Sequence, residues 1–365
     1  MLSKKMRILY HIPSPETVYA ARFIYEGYRD AFLDLGHKFI PLTSSNNLKK
    51  TLEKYKPDIF ISALNDYYLK FLDLDLIKSY RKKGMVYFNQ IGLWNLKVNQ
   101  FGGQSIKSRK DYCALITKGL AGDIFFNYFQ PDDPEMDGFT KTTGFPFYTV
   151  LLAANTKQYF YEKDQKLTSD ISFVGSLLPD KKEFVKKHLL PLMKKYDVNV
   201  YGSDWSLKDK LLGYVQKAGQ YFNIEPLKKL RRLKLSVDSE RKIYSSSRIS
   251  LNIHENHQRQ NGKDFNERTF KIIACRGFEI CDNVKVIRKY FSEKELIIAK
   301  NTQDWFEKIE YYLKNPQKRT PIIKAGYQKI IKYHTYKNRV EQLIAIARNH
   351  LHNQRGITTA TNNLK

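Results

Sequence analysis

Residues 251–283, LNIHENHQRQNGKDFNERTFKIIACRGFEICDN, decide how this chain is organised. An apolar run ends in Asn252, Ile253 and His254, a polar loop follows, and apolar residues return at helical spacing behind Glu267, Arg268, Thr269 and Lys271. Gly277 stands where that helix should stop, and FEIC follows as a second apolar run. Strand, loop, helix and strand within about 30 residues is the pattern of a crossover between parallel strands, which is right-handed in nearly all sheets.

The same grammar extends in both directions. Upstream, ISFV (171–174) runs straight into Gly175 and Ser176, a helix is expected over 181–195, and VNVY (198–201) is closed by Gly202. Strands are expected at 249–253 and 278–281. The first half repeats the alternation. RILYHI (7–12) precedes an amphipathic stretch with Ile24, Tyr28, Ala31 and Leu35 at helical spacing, which Gly36 should end. Strands are expected at 37–42, 58–63, 85–90, 114–117 and 123–126, with helices between several of them. Helical stretches at 303–314 and 319–351 precede the tail GITTATNNLK, expected to be disordered. The expected fold is α/β, with two Rossmann-like doubly wound domains: residues 1–155, residues 156–350, and a tail at 351–365. The boundary is placed in the polar segment 153–166, AANTKQYFYEKDQK.

Composition agrees with two folded domains. At 365 residues the chain exceeds the size at which one core usually keeps growing, and 42% hydrophobic and 14% aromatic residues exclude a disordered chain. No apolar run reaches the roughly 18 residues of a membrane span, so a cytoplasmic location is expected. Three cysteines without CxxC spacing argue against a disulfide framework or structural zinc. The net charge of +26 attracts anionic partners: a membrane surface, a polyanionic glycan or a nucleic acid. Lysines spread along the whole chain read equally as a solvated surface.

Motif absences narrow the chemistry. There is no GxGxxG, GxxxxGK[ST] or GxSxG, and His254 and His257 lack HExxH spacing. What remains lies at strand ends, where open α/β sheets bind ligands. Gly175 lets backbone approach a diphosphate, Ser176 and Lys181 follow it, and a helix N-terminus favours anionic charge. An ordinary strand-to-helix turn with solvated lysines reads as well from these residues. Glu267 and Arg268, with Thr269 and Lys271, suit ribose and phosphate oxygens, or form a surface capping pair. Residues 228–234, KKLRRLK, interleave leucines with cations and suit an anionic surface, or form a helix with its leucines on the core.

Taken in order, DISFVGSL, VNVYGSDW, SLNIH, NERTFKIIACRGFEICDN, YYLKNPQKR and KYHTYKNRV resemble the donor-binding half of the CgeB-like (CgeB/YkvP-type) glycosyltransferases, a GT-B group. The resemblance covers residues 170–340. It implies two domains facing a cleft, a nucleotide-sugar co-substrate and no other cofactor. It also implies a donor site in the second domain with Glu267, Arg268, Thr269 and Lys271 over the ribose and diphosphate and Gly175 and Ser176 facing the phosphates; Lys181, Asn252 and His254, at the strand and helix ends beside them, complete the expected donor residues. Where many relatives carry a carboxylate after the Phe, this chain has Lys271, which would rather meet phosphate and leave the ribose to Glu267. The acceptor is expected to be anionic or presented on an anionic surface: a glycan, a lipid-linked molecule or a nucleic acid, with peripheral contact to an anionic membrane. No DxD-type metal motif precedes an acceptor loop, so the reaction is expected to run without a bound metal. A base for the acceptor hydroxyl is expected from the first domain, with His11 as first candidate and Glu16 and Asp66 behind it. The competing reading is a nucleic-acid-directed protein with a basic surface, either a DNA-modifying glycosyltransferase or a non-catalytic binder.

Overall fold

The computed structural model describes residues 5–15, 20–92, 94, 109–228, 230 and 235–362, without the side chains of residues 109, 180 and 354–362. The chain forms two units. One takes the residues up to Pro15, Phe23–Leu151 and the chain from Lys337; the other takes Leu152–Tyr336 with a short segment ending at Arg22. In the first, strands β1 (Arg7–His11), β2 (Lys38–Leu42), β3 (Ile59–Leu64), β4 (Val86–Ile91), β5 (Ile124–Asn127) and β6 (Phe147–Thr149) form one parallel sheet in the order 2-1-3-4-5-6. In the second, β7 (Ile171–Val174), β8 (Val198–Tyr201), β9 (Ile249–Asn252), β10 (Glu279–Cys281) and β11 (Ile297–Ile298) are parallel in the order 8-7-9-10-11. Both sheets therefore reverse direction beside their first strand, the topological switch point where such sheets bind ligands.

Strands buried on both faces explain the nearly continuous apolar runs ISFV and IFFN. In the second unit Ile171, Phe173, Ile249, Leu251 and Ile280 pack beneath Trp305 and Ile309 of the helix Thr302–Lys314. In the first, Leu9, Phe60, Ile77 and Tyr87 fill one face of the sheet, and Trp94, Ile116, Phe125 and Phe139 belong to a second cluster.

Several expectations are corrected. Residues 114–117 lie in the helix Arg109–Thr117, not in a strand. Tyr112, Leu115 and Ile116 pack together at helical spacing, and a short apolar run cannot separate that from a strand. The helix expected over 181–195 is Lys182–His188 followed by a 3-10 turn at Leu192–Lys194, with Pro191, which cannot continue a helix, between them. The edge strands β6 and β11, three and two residues long, were not read at all.

The polar segment 153–166 belongs to the second unit. Tyr159 donates to Glu240 Oε2 at 2.7 Å, and the Glu162 and Asp164 amides donate to the Ser245 and Ser246 hydroxyls at 3.0 and 2.8 Å. The helical stretch expected over 319–351 divides into Pro316–Tyr333 and Tyr336–Asn362, separated where Thr335 bridges Ala154. Beyond Lys337 the second helix is part of the first unit, so residues 337–350 do not stay with residues 156–336. Arg339 Nε and Gln342 Nε2 donate to the Leu151 and Thr149 carbonyls, both at 2.9 Å, and Lys337 pairs with Asp34 at 3.4 Å. The tail expected to be disordered from residue 351 continues that helix through Asn362, and residues 363–365 lie outside the described residues.

Candidate donor site at the second switch point

β7 and β9 are neighbours, and their C-terminal ends carry Gly175 and the run Asn252, Ile253, His254. The Gly175 amide donates to the Tyr201 carbonyl at 2.8 Å, and its carbonyl accepts from Trp205 Nε1 at 2.9 Å. A Cβ on Gly175 would stand 2.9 Å from Phe173 Cζ, so the missing side chain makes room for the Phe173 ring, with Arg268 Nη1 beside it at 3.4 Å. Gly202 presses on the same turn, where a Cβ would fall 2.3 Å from the Gly175 oxygen.

Arg268 opens the helix Arg268–Ala274. Its Nη1 donates to Asn252 Oδ1 at 3.1 Å and to the Ile253 carbonyl at 3.2 Å, with the guanidinium 5.8 Å from the Phe173 ring centroid. The expected residues Gly175, Asn252 and Arg268 are thereby brought together, with Arg268 partly exposed. Arg259, which sequence reasoning did not single out, caps the next carbonyl, that of His254, and lies 3.4 Å from Asp282 Oδ2. Two guanidinium groups thus sit on successive carbonyls at the end of β9.

The remaining expected residues divide by burial. Ser176 is partly exposed beyond the end of β7. Lys181 is buried, its Nζ 4.0 Å from Glu255 Oε1, whereas Lys182 is exposed. Asn252 and Thr269 are fully buried and position their neighbours: Asn252 Nδ2 donates to Asn266, Thr269 and Glu279 at 2.8–3.0 Å, and Thr269 donates to Glu279 Oε1 at 2.9 Å. His254 is enclosed against Asp282, with Nδ1 2.6 Å from Oδ1. Burial alone would raise Asp282, but His254 and then Arg259 outweigh it and leave the carboxyl below its ordinary range.

Lys271 corrects an expectation. It turns inward, its Nζ 3.5 Å from Glu240 Oε1, 3.7 Å from Glu267 Oε1 and 5.0 Å from the Tyr159 ring centroid. The cation is held between two carboxylates, one of them Glu267. Burial of Glu267 is outweighed by Lys271, Arg268 and Lys181, which hold its carboxyl below the usual range and keep it an acceptor for hydroxyl groups. Of the basic stretch 228–234, Lys228 is buried and paired with Glu225 at 2.5 Å, Leu230 is exposed, and residues 229 and 231–234 lie outside the described residues.

Glu279 was also missed, because FEIC reads only as a strand. Burial pushes its carboxyl up to about 7, against the pull of the Asn252 and Thr269 hydrogen bonds and of Arg268. Because the folded state binds this proton more tightly than an unfolded glutamate near 4.5 does, its stabilisation is fully present below about pH 4.5 and lost as pH rises through 7. Denaturant unfolding from pH 5 to 8 should therefore show a loss of about 2.5 kcal/mol that Glu279→Gln abolishes. Parallel pH profiles for the two proteins would reject an ionising Glu279.

At the switch point of the first unit, His11 ends β1 and Asp66 follows β3. His11 is buried, with Nδ1 2.9 Å from Ser62 Oγ and Nε2 unpartnered among the described residues. Burial pushes it down to about 3, so it is neutral at physiological pH and a weak base. Asp66 is partly exposed and accepts from the Tyr112 hydroxyl at 2.9 Å. Glu16 lies outside the described residues.

Residues 182–345 match the family described as "Glycosyl transferase-like". No curated protein sequence matches the chain. Among solved structures, sucrose-phosphate synthase from Thermosynechococcus elongatus is similar, with a TM-score of 0.62 at 11% identity, covering 94% of this chain and 98% of that one. HepE from Anabaena, in complex with UDP and glucose, has a TM-score of 0.61 at 9% identity, covering 93% and 99%. An alpha-glucosyltransferase in complex with UDP and a 13-mer DNA has a TM-score of 0.61 at 12% identity, covering 94% and 100%. The fold is GT-B.

Proposed function

We propose that this GT-B chain transfers a sugar from a nucleotide-sugar donor to an acceptor hydroxyl, holding the nucleotide diphosphate at the ends of β7 and β9. The observation that carries this reading is Arg268: partly exposed, it is anchored on the Asn252 side chain and the Ile253 carbonyl beside Gly175 at the end of β7. Such a group can meet a diphosphate in a bidentate way and stabilise the charge that develops on the leaving group. Lys181 and Arg259 add positive field there without a bound metal. Glu267, held ionised by Lys271 and Arg268, is assigned to the ribose hydroxyls. The motif series supports placement in the CgeB-like group.

Among the described candidates for a base, Asp66 suits the role better than the buried, neutral His11. The acceptor is proposed to be anionic or presented on an anionic surface, as the charge of +26 favours. A rise of acceptor KM with salt at constant donor affinity tests that point, and a flat profile rejects it. The donor is tested by thermal shift across UDP-, GDP-, ADP- and TDP-sugars. UDP in two of the similar structures puts uridine first. A donor at about 100 times its Kd should stabilise the protein by roughly 2.7 kcal/mol. No shift with any nucleotide, together with tight and salt-sensitive DNA binding, would favour the non-catalytic binder.

A further inference from the structure

The helix Leu207–Tyr221 is turned inside out. It starts at Ser206, whose hydroxyl accepts from the Asp209 amide, and it packs on the short helix Glu225–Lys228. Its buried residues are polar or small: Asp209, Gly213, Gln216, Gly219 and Gln220. Close pairing requires this, since a Cβ on Gly219 would stand 2.5 Å from Leu227 Cβ, and Gln216 Nε2 donates to the Lys228 carbonyl at 2.9 Å. The apolar residues point outward: Leu207 is 75% exposed, Leu211 57%, Tyr214 69%, and Phe222, just past the helix, 64%. Leu207, Leu211 and Tyr214 fall at i, i+4 and i+7, one helical stripe, which in an ordinary surface helix would face the core. An outward stripe beside further exposed apolar groups marks a surface that something covers.

Charge selects the partner. Residues 207–228 hold four Lys against two carboxylates, Asp209 and Glu225. Asp209 is buried and Glu225 is paired with Lys228, while Lys208 is exposed and Lys210 partly exposed. A second copy of a chain of charge +26 would bring like charges together on this face, whereas an anionic bilayer satisfies the apolar stripe and the cations at once.

We propose that this helical hairpin docks the protein on an anionic lipid surface. Leu207, Leu211, Tyr214 and Phe222 enter the boundary between headgroups and acyl chains, and the lysines meet lipid phosphates. Full-length protein should co-sediment with vesicles of phosphatidylcholine containing about 30% phosphatidylglycerol and much less with phosphatidylcholine alone, and salt should weaken the binding. The double variant Leu211→Glu/Tyr214→Glu should lose binding by about tenfold or more while keeping its unfolding temperature and any nucleotide-induced shift, because both side chains are exposed. Failure of the wild type to bind anionic vesicles, or equal binding by the double variant, would overturn the proposal. So would light scattering that finds a dimer which the double variant dissolves, since the face would then belong to a second copy.

Discussion

Arg268→Ala should weaken nucleotide-sugar binding by about 1.5–3 kcal/mol, the range of hydrogen bonds to charged groups, while the protein stays folded. Folding should survive because Asn252 Oδ1 still accepts from Asn266 Nδ2 at 3.0 Å, and the half-buried guanidinium leaves no enclosed cavity. Arg268→Lys should recover only part of the affinity, since an ammonium cannot hold the Asn252 and Ile253 oxygens and a diphosphate with one planar fork. Calorimetric titration with the nucleotide diphosphate, alongside thermal unfolding of each variant, checks both statements. Equal affinity in the wild type and Arg268→Ala would remove Arg268 from the donor site.

Gly202→Ala should be the most damaging single substitution in the second unit. Its φ of +130° is a conformation that L residues rarely adopt, and the added Cβ would lie 2.3 Å from the Gly175 oxygen and 2.7 Å from its carbonyl carbon. Both atoms are backbone, so no side chain can rotate away and the ends of β7 and β8 must separate. Backbone strain of about 1–3 kcal/mol and overpacking of similar size give a loss of at least about 3 kcal/mol. For a unit of this size that lowers Tm by about 6–12 °C, readable by calorimetry. Separation of the strands also shifts Gly175 away from Arg268, so donor affinity should fall together with stability. A Tm within about 2 °C of wild type would show that the turn is looser than described.

Legibility in the sequence followed locality. The strands at 171–174 and 198–201 lie where their apolar runs end, and the crossover 251–283 has the element order its spacing implies. Gly175 and Arg268 were singled out from strand-end and helix-start chemistry, and they stand side by side. The surroundings of Lys271 were hidden because its two carboxylate partners include Glu240, thirty-one positions away in sequence on another helix. Arg259 and Glu279 were passed over because nothing adjacent in sequence marks a capped carbonyl or a buried carboxylate. The outward face of Leu207–Tyr221 was equally hidden, since its period predicts a stripe but not the side on which the unit lies.

By itself, then, the sequence determined the alternation of strands and helices, the α/β class of both halves and the strand ends where ligand chemistry gathers, because turn chemistry and hydrophobic period act over a few residues. Only the tertiary structure decided which charges are neutralised, that Asn252 and Thr269 are buried in one hydrogen-bond network with Glu279, and that the chain beyond Lys337 returns to the first unit. Those outcomes depend on contacts such as Arg339 with Leu151 and Asn252 with Glu279, between residues far apart in sequence, where burial sets whether a polar group faces solvent or a partner.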